Sequence, residues 1–262
     1  MTNPTVSVII PNWNRAADLR RAIASVLAQT APVLEVLVCD DGSTDESQDV
    51  VRQFDPSKVI WLGGEHIALP AAARNRGIKA ARGEFLAFLD NDDEWLPQKI
   101  TRQLEAMQQQ RLKASCSNAV RFSPNANADT PFFSSLPHRL TFADLLRGNK
   151  VICSSAVLHR SVLAQVESFP MSAELRALED YALWLRVATV TEFACCDEPL
   201  VRYQDQSANS VRALSPHSRH WQQRRLVLRD FLDWAGQRGG MPLKRWQAWR
   251  AYRVALRMEK TE

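Results

Sequence analysis

Four carboxylates fall within five positions at Asp90-Asn91-Asp92-Asp93-Glu94, directly after the apolar run Phe85 to Leu89. Carboxylates this close repel one another unless a cation sits among them. An all-oxygen set suits Mg2+ or Mn2+, and Mg2+ is commonly held by one or two carboxylates together with phosphates. A metal–diphosphate site is therefore one reading of the cluster. The competing reading is structural, because Asp and Asn ahead of Leu96-Pro97-Gln98 also make a good turn and cap for a helix opened by proline. A second acidic pair, Asp40-Asp41, closes the run Val33 to Cys39, and Asn12-Trp13-Asn14 closes the run Val6 to Ile10. A Trp13 ring can stack a nucleobase, and an Asp41 carboxylate can accept from a base N–H or a ribose hydroxyl. The local alternatives are a core tryptophan and an Asp-Gly-Ser turn that caps a helix.

These groups act together only if the chain brings them to one place. Thr5 to Ile10, Val33 to Cys39, Lys58 to Leu62 and Phe85 to Leu89 are short, mostly apolar and β-branched, as strands buried on both faces are. Helical spacing recurs between them, from Asp18 through Leu27, from the Ser43-Thr44-Asp45 caps to about Phe54, and over Pro70 to Arg82, with Gly83 expected as its C′ residue. The alternation predicts a parallel αβα sandwich. Ligands of open α/β sheets bind outside the carboxyl ends of the strands, so Asn12–Asn14, Asp40–Asp41 and Asp90–Asp93 should open on one edge.

Further along, Pro97 to Gln110 reads as a helix, Ala114 to Phe122 as a strand, Ser123 to Pro137 as a loop and residues 138 to 150 as a short helix. Val151 to His159 is strand-like, and a helix follows from Ser161. Glu179-Asp180 opens another helix, with acids in the first turn as the helix dipole prefers. Glu192 to Cys196 and Leu200 to Tyr203 read as two short strands, and His217 to Ala235 and Pro242 to Met258 as helices.

At 262 residues, 45% hydrophobic and 24% charged, the chain has an ordinary globular composition. No run approaches the length of a membrane span, and Met1-Thr2-Asn3-Pro4 lacks the basic and apolar regions of an export signal, so a cytoplasmic protein is expected. The five cysteines (Cys39, Cys116, Cys153, Cys195, Cys196) show no metal-ligand spacing and read as buried thiols in a reducing compartment. The net charge of +4 conceals an asymmetry: residues 212–262 carry twelve basic against four acidic side chains, and residues 1–211 carry twenty-one against twenty-five. The basic, Trp-rich tail points to an anionic partner, a membrane surface in preference to nucleic acid. Packing on the rest of the chain, or a homodimer contact, is the alternative.

Four segments taken in order, Val6-Ser7-Val8-Ile9-Ile10-Pro11-Asn12-Trp13-Asn14, Val36-Leu37-Val38-Cys39-Asp40-Asp41-Gly42-Ser43-Thr44-Asp45, Ala73-Arg74-Asn75-Arg76-Gly77-Ile78 and Phe88-Leu89-Asp90-Asn91-Asp92-Asp93-Glu94-Trp95, resemble the GT-A glycosyltransferases of family 2. Glu179-Asp180-Tyr181, followed by Leu183-Trp184-Leu185-Arg186, is similar to that family's acceptor-side motif, so the resemblance spans about residues 5 to 210. It implies a GT-A α/β fold, a Rossmann-like αβα sandwich with a mostly parallel central sheet. Residues 1–211 would form the transferase domain, with 1–113 as donor half and 114–211 as acceptor half, and residues 212–262 a helical extension. Pro11, Trp13, Asn14, Asp41, Arg74 and Asp90 would bind a nucleotide-diphosphate sugar, with a UDP-sugar as the expected donor. Trp13 stands where Tyr or Phe is usual. Asp92, or its neighbour Asp93, would ligate Mg2+ or Mn2+. Asp180 would be the catalytic base beside Glu179, and the acceptor a hydroxyl of a glycan or lipid-linked glycan in bacterial surface polysaccharide assembly.

One departure stands out. Tyr203-Gln204-Asp205-Gln206-Ser207 lacks the histidine that often follows in the family, which leaves Asp205 or Gln206 to replace it or the metal to be held more loosely. Other α/β enzymes fit less well. A haloacid-dehalogenase-type reading of Asp41-Gly42-Ser43 puts Cys39 where a nucleophilic aspartate is needed, and the Gly-rich loops of dehydrogenases and nucleotidyltransferases are absent. A non-catalytic sugar-binding module of the same fold remains the alternative.

Overall fold

The computed structural model describes residues 4–122, 130–204 and 220–259. Its strands are β1 (Val6–Asn12), β2 (Glu35–Asp40), β3 (Val59–Leu62), β4 (Phe85–Phe88), β5 (Glu94–Trp95), β6 (Ala114–Phe122), β7 (Thr130–Pro131), β8 (Arg139–Leu140), β9 (Val157–His159) and β10 (Phe193–Gln204). Its helices are α1 (Ala16–Leu27), α2 (Ser47–Val51), α3 (Pro70–Ala80), α4 (Lys99–Gln110), α5 (Phe142–Leu145), α6 (Arg160–Val166), α7 (Glu179–Val187), α8 (His220–Arg238) and α9 (Pro242–Met258).

The ten described strands join one sheet whose main path runs β3-β2-β1-β4-β9-β6-β10-β5, with β7 added on β6 and β8 on β10. The sheet is mixed. β3, β2, β1 and β4 run parallel, as do β6 and β10, whereas β9 enters antiparallel between β4 and β6. Side chains alternate between two cores. Val8, Ile10, Val36, Val38 and Ala87 face the layer of α1 and α4, while Ile9, Leu37, Leu86 and Phe88 face the layer that includes Trp184 of α7 and Phe231 of α8. Burial on both faces is why these strands read as continuous apolar runs.

Several sequence expectations meet tertiary constraints. The helix over Pro70 to Arg82 ends in an extended residue, Ala81, and Gly83 has no cap role. Gly83 is needed for close approach instead: a Cβ there would lie 2.5 Å from the Ser7 nitrogen. The strand expected over Val151 to His159 forms only at its end, because residues 153–155 make a 3-10 turn. Ser154 in that turn accepts from the Asp90 N–H and donates to Asp93. The two strands expected between Glu192 and Tyr203 are one, β10, with its register to β6 shifting around Pro199. The segment 123–129, within the expected loop, lies outside the described residues, as do Asp205 and Gln206. α8 joins the main core through Val227, Leu228, Phe231 and Ala235, all fully buried, so this part of the basic tail is integral to the folded unit.

Lys99, at the start of α4, is fully buried with Nζ 4.0 Å from the Trp95 ring centre and, among the described residues, without a hydrogen-bond partner. Burial pushes its amine down to about 7. The folded state therefore bears the cost of a buried charge at and below that pH, and the cost fades as pH rises toward the ordinary lysine value. Lys99→Met is expected to raise the melting temperature by about 2–4 °C per kcal/mol recovered. Thermal denaturation should show the gain largest at pH 7 or below and smaller toward pH 10.

Candidate active site

A cavity of about 480 Å³ opens along the carboxyl ends of β1, β2 and β4 and continues past the start of α7 to the first turn of α8. That volume lies within the range of small-molecule sites. Every residue expected in the site lines it except Asn14 and Asp93.

At one end Trp13 is 49% exposed and stacks on His66, with ring centres 4.6 Å apart and planes inclined by 20°. Asp41 is buried, and its two carboxylate oxygens accept from the N–H groups of Ile67 and Ala68 at 3.0 and 2.9 Å. His66 Nδ1 lies 3.0 Å from Asp41 Oδ2 and 2.9 Å from its carbonyl oxygen. His66 thus makes the two contacts that a base would want, a face on Trp13 and an N–H at Asp41. Its loop is tightly shaped: Ala68 holds a left-handed φ of 60°, and a Cβ on Gly42 would come within 2.9 Å of the His66 nitrogen. Asp40 takes the turn role, accepting from Ser43 N–H at 2.7 Å and from Asn12 at 3.0 Å. The acidic pair therefore divides, with Asp40 shaping the turn and Asp41 facing the cavity. Asn14 stays outside, accepting from Thr44 N–H at 2.7 Å while its own N–H donates to Ser43.

In the middle, Arg74 of α3 is buried and bridges two acids. Nη2 donates to Asp90 Oδ1 and Nη1 to Glu179 Oε1, each at 2.6 Å. Glu179 Oε2 is buried with no hydrogen-bond partner among the described residues. Asp92 lines the cavity, its nearest cation Arg15 at 4.0 Å, and burial followed by the charge of Asp90 pushes its carboxyl up to about 6. Asp93 turns inward, where it accepts from Ser154 Oγ at 2.5 Å and from the Gln204 N–H at 2.9 Å. Burial and the charges of Asp92 and Asp90 raise its pKa strongly. The cap reading of this cluster fails, because α4 starts at Lys99 and has no side-chain cap.

Among the described residues no three His, Cys, Asp or Glu side chains gather into a metal cage. The donor set nonetheless fits Mg2+ or Mn2+. Asp92 offers hard carboxylate oxygens on the cavity wall, and phosphate oxygens would complete a shell around such an ion.

Beyond Glu179, Asp180 lines the cavity half-buried. Its Oδ1 accepts from the Tyr181 N–H at 2.6 Å and its Oδ2 from Asn149 Nδ2 at 3.3 Å. Burial, then the neighbouring Glu179, push its carboxyl up to about 7, against Arg74 and the Tyr181 N–H. A carboxyl near neutrality is poised to accept a proton. His66, Asn149 and Ser154 were not singled out by sequence reasoning, because their roles come from placement: His66 and Asn149 lie outside regular elements and Ser154 in the 3-10 turn where a strand was expected.

The chain has counterparts in sequence and fold among known proteins. The model of "Glycosyl transferase family 2" matches residues 7–166. The Escherichia coli UDP-Glc:alpha-D-GlcNAc-diphosphoundecaprenol beta-1,3-glucosyltransferases WfaP and WfgD are 33% and 32% identical to this chain. Their alignments cover 70% and 89% of this chain and 69% and 88% of the relatives. In fold, Staphylococcus aureus TarS 1-349, crystallised with UDP-GlcNAc, superposes with a TM-score of 0.70 at 18% identity, over 87% of this chain and 67% of that one. Pyrobaculum calidifontis mannosyltransferase PcManGT, in complex with GDP-Man and Mn2+, gives 0.67 at 17% identity, over 100% and 76%. With the motif match reaching across more than half its length, the chain belongs to glycosyl transferase family 2 and is a glycosyltransferase of GT-A fold.

Proposed function

We propose that the protein transfers a sugar, with inversion, from a nucleotide-diphosphate sugar to a hydroxyl of a lipid-linked glycan in bacterial polysaccharide assembly. One observation carries this reading: a single buried guanidinium, Arg74, ties the acid before Asp92 to the acid before Asp180, so that one cavity holds an acid for each end of the reaction. The names of WfaP and WfgD support a UDP-sugar donor and a diphosphate-lipid acceptor.

In this reading the base stacks on Trp13 and is read by Asp41 beside Pro11, after His66 yields its place. Asp92, with Asp90 alongside, would hold Mg2+ or Mn2+, and Arg74 would face the diphosphate. The metal, when bound, neutralises charge that grows on the departing nucleotide diphosphate. Glu179 Oε2, buried and unsatisfied, accepts a hydroxyl of a bound sugar. Asp180, held by Asn149 and the Tyr181 N–H, takes the proton of the attacking hydroxyl from the face opposite the leaving group, which inverts the anomeric carbon. Asp93 supports this machinery from within, by joining Ser154 to the end of β10.

α9 supports work at a membrane surface. No helix among the described residues is long and apolar enough to cross a bilayer. The outward side of α9 exposes Leu243, Trp246 and Trp249 at 65%, 51% and 49%, with Arg250 and Arg253 against the two indoles at 4.8 and 5.3 Å. Indoles among arginines suit the boundary of an anionic bilayer.

The deciding experiment incubates the protein with Mn2+ and a panel of nucleotide sugars and measures nucleotide diphosphate release, with and without lipid-linked acceptor. Release from one donor is expected, and none from any donor would favour a binding module of the same fold. Asp180→Asn should bind UDP as the parent does and lose about 10²–10⁴-fold in transfer. The parent's kcat/KM should fall as pH drops below about 7, where Asp180 takes up its proton and can no longer accept one. Trp13→Ala should weaken UDP binding about tenfold or more in calorimetry, the scale of one lost base stack. Vesicles containing phosphatidylglycerol should sediment the parent at low salt but not the variant with Trp246→Ser, Trp249→Ser, Arg250→Glu and Arg253→Glu, which leaves the buried side of α9 intact.

A further inference from the structure

The arginines of α8 divide into two groups. Arg225 pairs with Glu259, Arg229 with Glu174 and Arg238 with Glu167. Arg224 pairs with no carboxylate among the described residues. Its Nε donates to the Leu146 carbonyl at 2.9 Å, and its guanidinium lies 5.1 Å from the Trp221 ring centre. Arg176, on the segment leading into α7, likewise has no carboxylate partner among the described residues, and its Nε is buried without a hydrogen-bond acceptor. Both line the active-site cavity. A guanidinium keeps its charge at any physiological pH, and a partly buried one that meets no anion is left with an uncompensated desolvation cost. Two of them lining one cavity describe a site for an anion supplied from outside the chain.

Their position identifies which anion. From the base end, contacts run through Asn12 and Asn91, bonded at 2.8 Å, to Asp90, Arg74, Glu179 and Asp180. Asp180 then meets Asn149 at 3.3 Å, on the loop that begins at the Leu146 carbonyl held by Arg224. Arg224 thus holds the loop that carries Asp180's partner Asn149, and Arg176 stands three residues before Glu179 on the segment leading into α7, so both adjoin the Glu179-Asp180 end of the cavity. We propose that Arg176 and Arg224 form a subsite for a phosphate of the acceptor, so that the acceptor sugar sits with its hydroxyl on Asp180 and its phosphate on the arginines. This rests on the transfer reading above and adds the chemistry of the acceptor to it. The planar fork of arginine suits two phosphate oxygens at once, which favours a phosphate-linked acceptor over a neutral glycoside.

The test uses inorganic pyrophosphate as probe, titrated calorimetrically into the full chain saturated with UDP in EDTA, so that neither the donor subsite nor a metal contributes. The parent should bind it, Arg176→Gln and Arg224→Gln should each bind at least tenfold more weakly, Arg224→Lys should recover part of the loss, and Asp92→Asn should bind as the parent does. UDP affinity should be the same in both arginine variants and the parent. In transfer assays the same variants should raise KM at least tenfold for a diphosphate-linked acceptor sugar while leaving KM for its neutral alkyl glycoside unchanged. Absence of pyrophosphate binding by the parent would overturn the proposal. So would weaker UDP binding in the arginine variants, which would assign them to the donor, or an equal loss with both acceptors. Failure of the parent to bind UDP would count against the donor reading alone, since the pyrophosphate comparison can be made without nucleotide.

Discussion

Arg74 is the constraint on which the rest of the site depends. It is buried, cannot give up its proton, and donates to Asp90 on one side and Glu179 on the other, two residues that lie 89 positions apart in the chain. The pair of contacts joins the carboxyl end of β4 to the first turn of α7, and so sets the separation of the groups that follow each acid, Asp92 and Asp180. A buried charge that loses its partner is costly, so either acid without Arg74 would unsettle the cavity wall rather than merely remove a hydrogen bond. Gly77 lets the helix that carries Arg74 approach the sheet closely, since a Cβ there would lie 2.6 Å from Ile9 and 2.7 Å from the Cys39 sulfur.

Around this bridge the acids differ by environment. Asp41 is filled by backbone N–H groups of the next loop, and Asp93 by Ser154 and the end of β10. Asp92 and Asp180 are left facing the cavity with carboxyls pushed up to about 6 and about 7, chiefly by burial. The first would fall again beside a cation, and the second lies close to neutrality. Acids that look alike in the sequence thus carry three kinds of work: shaping a loop, bracing the sheet and lining the open cavity.

The basic tail shows a similar partition. Its charge looks uniform along residues 212–262, yet α8 buries Leu228 and Phe231 in the main core and neutralises most of its described arginines against nearby carboxylates. Arg224 faces the cavity and α9 turns indoles and arginines outward. Folding separates the cations left facing the cavity or the outside from those that hold the helix in place.

Much of the fold was legible because its signals are local. Runs such as Val6 to Ile10 and Phe85 to Leu89 read as strands because both faces of the sheet are buried, and turn residues after them mark the edge where ligands bind. The motifs around Trp13, Asp41, Arg74, Asp90 and Glu179-Asp180 were enough to indicate the family and the type of chemistry. What needed the tertiary structure was every choice between equivalent neighbours. Asp92 and Asp93 are adjacent acids of one type, and only the direction in which the turn leaves β4 sends one to the cavity and the other to Ser154. Gly83 looks like a helix cap, and its role comes instead from the closeness of Ser7 on another strand. The antiparallel insertion of β9, the stacking of His66 on Trp13 and the union of residues 193–204 into one strand depend on partners far away in sequence. Residue types and their order therefore determined which chemistry is present, since that is a property of side chains and local periodicity. Which atoms face one another was decided by the sheet, because long-range packing alone sets the direction of each side chain.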